Sequence, residues 1–176
     1  VQTLQDRGAS DVLFDMNSRY DVPGYGSQIA MGETALAESW QSRDYLSHNH
    51  CMLGHLYSWL FSGIGGISQE SGSTAYKRIV IDPQIVGDLR DARVSFRSPY
   101  GLIRSEWKDA PDEFVQTIEI PANATARICL PATDPAKVTE SGKPVSGRKD
   151  MAVESGTDGR IELHVGSGVY RIAVEK

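Results

Sequence analysis

The chain has 176 residues, enough to bury one core of fair size or to hold two small pieces. Eighteen Lys and Arg against 23 Asp and Glu leave a net charge of -5 and a pI near 5.3. That balance argues against the basic patch that phosphate binding requires. A mean hydropathy of -0.33 and the lack of a long apolar run argue against a membrane-spanning helix.

The first residues, Val-Gln-Thr-Leu-Gln-Asp, carry no charged n-region, apolar h-region or cleavage site. Ala9 to Ser18 places Val12, Leu13 and Met16 at helical intervals, and Tyr20 to Gly26 breaks the pattern. The spacing then predicts a helix from Ser27, its candidate cap, to about Trp40, with Ile29, Leu36 and Trp40 facing inward. A polar link from Gln41 to Ser47 follows. Asn49 is the expected N-cap of a third helix over about residues 51–62, apolar nearly all round with Met52, Leu53, Leu56, Tyr57, Trp59, Leu60 and Phe61. Such a helix needs cover on most sides, so the N-terminal piece reads as part of a larger helical assembly. The faces left open predict self-association through residues 9–62.

The character changes near residue 66. After Gly65-Gly66 and a polar stretch, alternation predicts strands over 76–81, 89–97, 102–108, 114–120, 124–130, 138–145, 161–165 and 168–174. Ser98-Pro99-Tyr100-Gly101 is the turn of one hairpin and Glu140-Ser141-Gly142-Lys143 that of another. Eight short strands at this spacing imply an antiparallel β-sandwich. The fold class is α+β by segments, with domains at 1–66 and 67–176. Cys51 and Cys129 fall in segments of different type and are expected as buried free thiols.

Few residues suit chemistry. Glu38 is either a solvated helix carboxylate or a general base that activates water beside a sugar. Glu33 competes for that role; on one helix the two stand about a turn and a half apart and cannot share a pocket. Trp40 is either core or the apolar floor under a sugar ring. His48, His50 and His55 lack the ligand spacing of a zinc site, so no metal and no cofactor is expected. If Asn49 caps the helix, His50 lies in its first turn, where the positive helix end favours neutral imidazole. No P-loop and no Gly-x-Ser-x-Gly is present. Asn123-Ala124-Thr125 fits a glycosylation sequon and equally a turn between strands.

The motifs together resemble bacterial α-L-rhamnosidases of glycoside hydrolase family 78. Val22-Pro23-Gly24-Tyr25-Gly26 is similar to that family's Pro-Ser-Trp-Gly segment. Gly32 to Trp40 (Gly-Glu-Thr-Ala-Leu-Ala-Glu-Ser-Trp) resembles its Gly-Ala-Thr-Thr-Leu-Trp-Glu-Arg-Trp helix, and Ser47-His48-Asn49-His50 its Ser-His-Asn-His segment. Tyr76 to Pro83, Gly87-Asp88-Leu89, Ser98 to Gly101 with Trp107, and Ile120 to Ala126 recur in the family's order. The resemblance implies the last helices of an (α/α) six-hairpin barrel followed by a C-terminal antiparallel β-sandwich. It also implies inverting hydrolysis of terminal α-L-rhamnosyl linkages in the complete protein. Glu38 takes the place of the general base, and His50 and Trp40 contact the sugar. The expected partners are a rhamnose-containing oligosaccharide or glycoside and the remainder of the barrel, with neither nucleic acid nor membrane. Glu33 stands where relatives often carry Ala. Ala37 and Ser39 replace the family's Trp and Arg, which puts the pocket wall and the substrate preference at issue. The family's general acid lies in an Asp/Arg-rich segment with no match here, so residues 1–176 alone are expected to be inactive. A reading from another class makes the sandwich a non-catalytic structural or carbohydrate-binding module, with Trp107, Tyr100 and Phe96 as stacking residues.

Overall fold

A computed structural model describes residues 1–176 and divides into two compact units, residues 1–63 with 86–88, and residues 64–85 with 89–176. No helix is long and apolar enough to cross a membrane.

The first unit is built from short helices: α1 (Gln2–Asp6), α2 (Ser10–Asn17) and α3 (Tyr25–Ala30). A continuous helical stretch then runs as a 3-10 turn (Cys51–His55), one α turn (Leu56–Trp59) and a π turn (Leu60–Ile64). Leu13, Leu53 and Trp59 are buried, whereas Ile29, expected inside, is exposed, as are Val12 and Met16. Trp59 settles its indole N–H on Ser10 Oγ at 2.8 Å, so the buried ring carries no unpaired donor. Gly26 is fixed by contact: a Cβ there would stand 2.1 Å from the Arg19 carbonyl oxygen.

The predicted helix over 27–40 ends ten residues early. Gly32 takes φ +86, its N–H bonds to Ile29 O at 2.9 Å, and the Glu33 N–H bonds to Gln28 O at 3.0 Å. That pair of bonds is a Schellman close, which only a residue at ease in the left-handed region completes cheaply. Ser27 lies inside α3 rather than before it; its hydroxyl accepts the Gly24 N–H at 3.0 Å. Asn49 is not a cap either. The N-cap position falls on His50, with no side-chain capping bond, and the Asn49 N–H goes to Ser47 Oγ.

The second unit is a two-sheet sandwich. One sheet has the order β1 (Ile67–Gln69), β2 (Arg78–Ile81), β6 (Thr125–Cys129), β10 (Ile161–Val165), β9 (Ala152–Ser155). The other has the order β3 (Asp91–Ser98), β4 (Gly101–Asp109), β5 (Glu113–Ile120), β11 (Gly168–Glu175), β7 (Val138–Glu140), β8 (Lys143–Pro144). Both expected hairpins form, β3 with β4 through Ser98↔Gly101 and β7 with β8 through Glu140↔Lys143. Strands β1 and β9 were not anticipated. The β2–β6 pair runs parallel, through Arg78↔Thr125 to Ile81↔Ile128, and departs from a purely antiparallel plan.

Alternation does what the period-2 pattern requires. Phe114, Gln116, Ile118 and Ile120 point inward from β5, and Ile128 and Leu163 are fully buried in the facing sheet. Trp107 on β4 is 2% exposed, lies against Phe114 with ring centroids 6.3 Å apart, and donates to the Ile64 carbonyl at 2.8 Å. The two cysteines differ: Cys129 is buried and Cys51 exposed, a correction for the latter. Burial pushes the Cys129 thiol up to about 12, so it stays protonated at neutral pH.

Candidate functional site

Beyond Gly32 the chain cannot continue as a helix, and its backbone groups need other partners. It finds them in the polar link. The Glu38 N–H bonds to Ser47 O and the His50 N–H to Leu36 O, each at 2.8 Å. Two irregular segments, 36–38 and 47–50, are thus pinned side by side in opposite directions. Buried Ala37 sits at the centre of one, and Gln28 ties the segment to α3 by donating to Ser39 O at 3.0 Å.

This small ladder puts Glu38 and His50 on adjoining stretches of backbone. The Glu38 carboxylate accepts the Ser47 N–H through Oε2 at 3.2 Å, so Ser47 both receives from the Glu38 backbone and steers its side chain. Glu38 is exposed and His50 half-buried with extended backbone, φ -117 and ψ 111. The helical stretch that begins at Cys51 opens with a 3-10 turn, and His50 is its N-cap residue rather than a member of its first turn.

Trp40 is half-buried two residues past Glu38. It meets Tyr25 edge to face, with centroids 5.0 Å apart and planes at 81°. Tyr25 is itself fixed by donating its hydroxyl to the Leu53 carbonyl. The two rings line a recess of about 270 Å3 with Met16, Asn17, Pro23 and His55; Glu38 and His50 are not among its lining residues. The structure therefore brings Glu38 together with His50 and sets Trp40 in a neighbouring hollow.

Glu33 and His48 form a contact that spacing did not reveal. His48 Nδ1 lies 2.8 Å from Glu33 Oε2, and Nε2 lies 3.2 Å from the Arg43 carbonyl. Because no helix joins them, Glu33 and Glu38 are not bound by the turn-and-a-half geometry expected of them. His55 Nδ1 rests on Met52 O at 3.2 Å. On the sandwich, Trp107 is core and offers no stacking surface. Phe96 is half-buried against Tyr76, with centroids 4.8 Å apart, and Tyr100 alone of the three stands at the surface.

Similarity to known proteins places the chain among glycoside hydrolases. Residues 1–64 match the bacterial alpha-L-rhamnosidase 6 hairpin glycosidase domain, and residues 66–144 match the bacterial alpha-L-rhamnosidase C-terminal domain. The chain belongs to the bacterial α-L-rhamnosidase family and corresponds to a C-terminal portion of it. An α-L-rhamnosidase of Streptomyces avermitilis is 30% identical over 99% of this chain, and one of Formosa agariphila 24% identical over 98%. The chain spans 17% and 19% of those two proteins. Among solved structures, the Streptomyces avermitilis α-L-rhamnosidase complexed with L-rhamnose aligns with a TM-score of 0.84 at 29% identity, over 97% of this chain and 16% of that one. The α-L-rhamnosidase from Dictyoglumus thermophilum aligns at 0.86 and 27% identity, over 99% and 20%.

Proposed function

We propose that residues 1–176 belong to an α-L-rhamnosidase that hydrolyses terminal α-L-rhamnosyl linkages with inversion. Residues 1–66 form the end of its barrel domain and 67–176 its C-terminal sandwich. Glu38 is the general base, and His50 and Trp40 contact the rhamnosyl unit of an oligosaccharide or glycoside. The observation that carries this reading is the ladder of segments 36–38 and 47–50. Ser47 N–H takes one oxygen of the Glu38 carboxylate, which fixes its direction and leaves the other for a water, and His50 follows three residues on in the facing segment.

An inverting hydrolase deprotonates that water as it attacks the anomeric carbon, while a carboxylic acid on the opposite face protonates the leaving oxygen. The two carboxyl groups stand about 6.5–9.5 Å apart. Glu33, the other glutamate of residues 1–63, is committed to His48 and does not serve as the acid. The Asp/Arg-rich segment that carries the family's general acid has no match in this sequence, so we read the 176 residues alone as one half of a two-carboxylate site that turns nothing over. Two measurements test the reading. In the full-length protein Glu38→Gln lowers kcat on an aryl α-L-rhamnoside by about 10²–10⁴-fold while L-rhamnose still binds; unchanged turnover refutes the base assignment. The purified 176-residue chain releases no rhamnose from the same substrate, and measurable release overturns the half-site reading.

A further inference from the structure

We propose that Glu33 is a positioning residue of this site, which, through protonated His48, clips together the two segments that carry Glu38 and His50. The proposal rests on the base assignment of Glu38. It concerns a pair that lies outside the sugar contacts.

The pair is placed to act on both segments. Glu33 follows the Schellman close of α3 and precedes Leu36, whose carbonyl receives the His50 N–H. His48 stands between Ser47, which is bonded to Glu38 twice, and Asn49, which leads into His50. A bond from Glu33 to His48 therefore ties the chain just before Leu36 to a residue standing between the two backbone bonds, at Ser47 and at His50. The Glu33 side chain is 16% exposed, low for a glutamate and in keeping with one held by a partner.

The chemistry of the contacts sets the protonation state. Nδ1 faces a carboxylate oxygen and Nε2 faces a backbone carbonyl, and both are acceptors only. Neutral imidazole has one N–H and leaves one of these contacts oxygen against lone pair. Imidazolium has two and satisfies both. The charged groups around the ring agree: the Glu33 carboxylate hydrogen-bonds it, Asp44 adds a second negative charge, and the Arg43 guanidinium is turned toward the Tyr45 hydroxyl at 3.4 Å. The bond to Glu33 raises the His48 pKa above its ordinary value, followed by the Arg43 carbonyl. A group whose folded pKa is raised holds its contribution below the unfolded value and loses it as pH climbs through the folded one. The clip is therefore fully made at mildly acidic pH and weakens as pH rises, when the ring keeps one N–H for two acceptors and the ion pair with Glu33 is lost. Ala at position 33 cannot make it.

The test compares wild type, Glu33→Ala, Glu33→Gln and Glu38→Gln in the full-length protein, with an aryl α-L-rhamnoside as substrate. The quantity read is the ratio of wild-type to variant kcat at each pH, in which ionisations common to both proteins cancel. His48 titration is followed by NMR of its ring carbon in the same proteins. For Glu33→Ala the ratio is about 10 at a pH below the ordinary histidine value, since a small misplacement of a base costs that much. It falls toward one as pH passes the His48 pKa seen by NMR. Glu33→Gln keeps the side-chain shape, guards against a folding defect, and moves the His48 titration down. A ratio of one at every pH overturns the positioning role. A ratio above one that stays flat assigns Glu33 to structure alone and also overturns the proposal. Should Glu38→Gln retain full turnover, the base reading fails and the positioning role falls with it. Should Glu38→Gln abolish turnover while the Glu33 variants match wild type, the positioning role fails alone.

Discussion

The helical and the β regions of this chain finish their cores very differently. Leu13, Ala37, Leu53, Trp59 and Val86 are the buried hydrophobics of the helical unit; the sandwich buries 24. Of the eleven large apolar side chains left exposed, nine lie in residues 12–60 and two, Tyr100 and Val169, in the sandwich. Each fully buried aliphatic or aromatic side chain contributes about 1.5–3 kcal/mol of transfer free energy. The sandwich therefore stabilises itself, whereas the helical unit holds its shape with a handful of polar pins: Trp59 on Ser10, Gln28 on Ser39, Gln5 on Ser62 at 3.0 Å. Chemistry is proposed only for the second kind of region. A site assembled on an open core depends on neighbours, and a sandwich that closes its own core makes a fixed base.

The largest effects that break this comparison come from matched substitutions of the two buried tryptophans. Trp107→Ala removes a ring from the middle of the sandwich and leaves the Ile64 carbonyl without its donor. The expected loss is about 3–5 kcal/mol, seen as a fall of the main cooperative transition in denaturant. Trp59→Ala melts the helical signal by circular dichroism and leaves the sheet transition in place. A common shift of both signals in either variant would show that the two units unfold as one, and the contrast drawn above would fail.

Next in size is association. The nine exposed side chains include Met16, Ile29, Met52, Tyr57 and Leu60, a surface of the kind that drives proteins together. We expect the 176-residue chain to sediment above its 19.3 kDa mass. Met52→Lys with Tyr57→Lys, both on the 51–64 stretch, returns it toward a monomer, whereas Val169→Lys on the sandwich does not. A monodisperse wild-type monomer counts against the idea.

How much of this was legible in the sequence follows the same division. The sandwich strands were readable because a side chain on β5 has two fates only, in or out, and Phe114, Gln116, Ile118 and Ile120 keep the period. Strand β1 escaped because three residues, Ile67-Ser68-Gln69, are too short to show one, and β9 because Ala152 to Ser155 is mostly exposed. In the helical unit a 3.6-residue period linked Ile29, Leu36 and Trp40 across Gly32. The glycine was the better signal: it ends α3 and leaves Glu38 in an irregular segment. Glu38 and His50 came from family resemblance and not from spacing. The Glu33–His48 pair lies fifteen residues apart in two irregular segments, so no periodicity marks it.

The smallest effect concerns acid and base, where the two regions should respond in opposite directions. In the helical unit the Glu33–His48 pair weakens as pH rises. In the sandwich Arg148 grips Asp150 through two bonds, one from Nε to Oδ1 at 2.8 Å and one from Nη2 to Oδ2, and its Nη1 reaches Glu140 Oε2 at 2.7 Å. The Arg148 guanidinium holds the Asp150 carboxyl at about 2, below its ordinary value. A depressed carboxylate contributes above its unfolded pKa and loses that contribution as pH falls through the folded one, so this pair weakens between about pH 4 and pH 2. The change is local, since Asp150 is exposed. The protection of amides 145–151 relative to their intrinsic exchange rates should therefore fall in acid, with β5 and β11 unaffected, and Asp150→Asn should show the lowered protection already at neutral pH. Equal protection of that loop at pH 2 and pH 6 would mean that the Arg148–Asp150 pair does not hold it, and the opposition between the two regions would reduce to the histidine side.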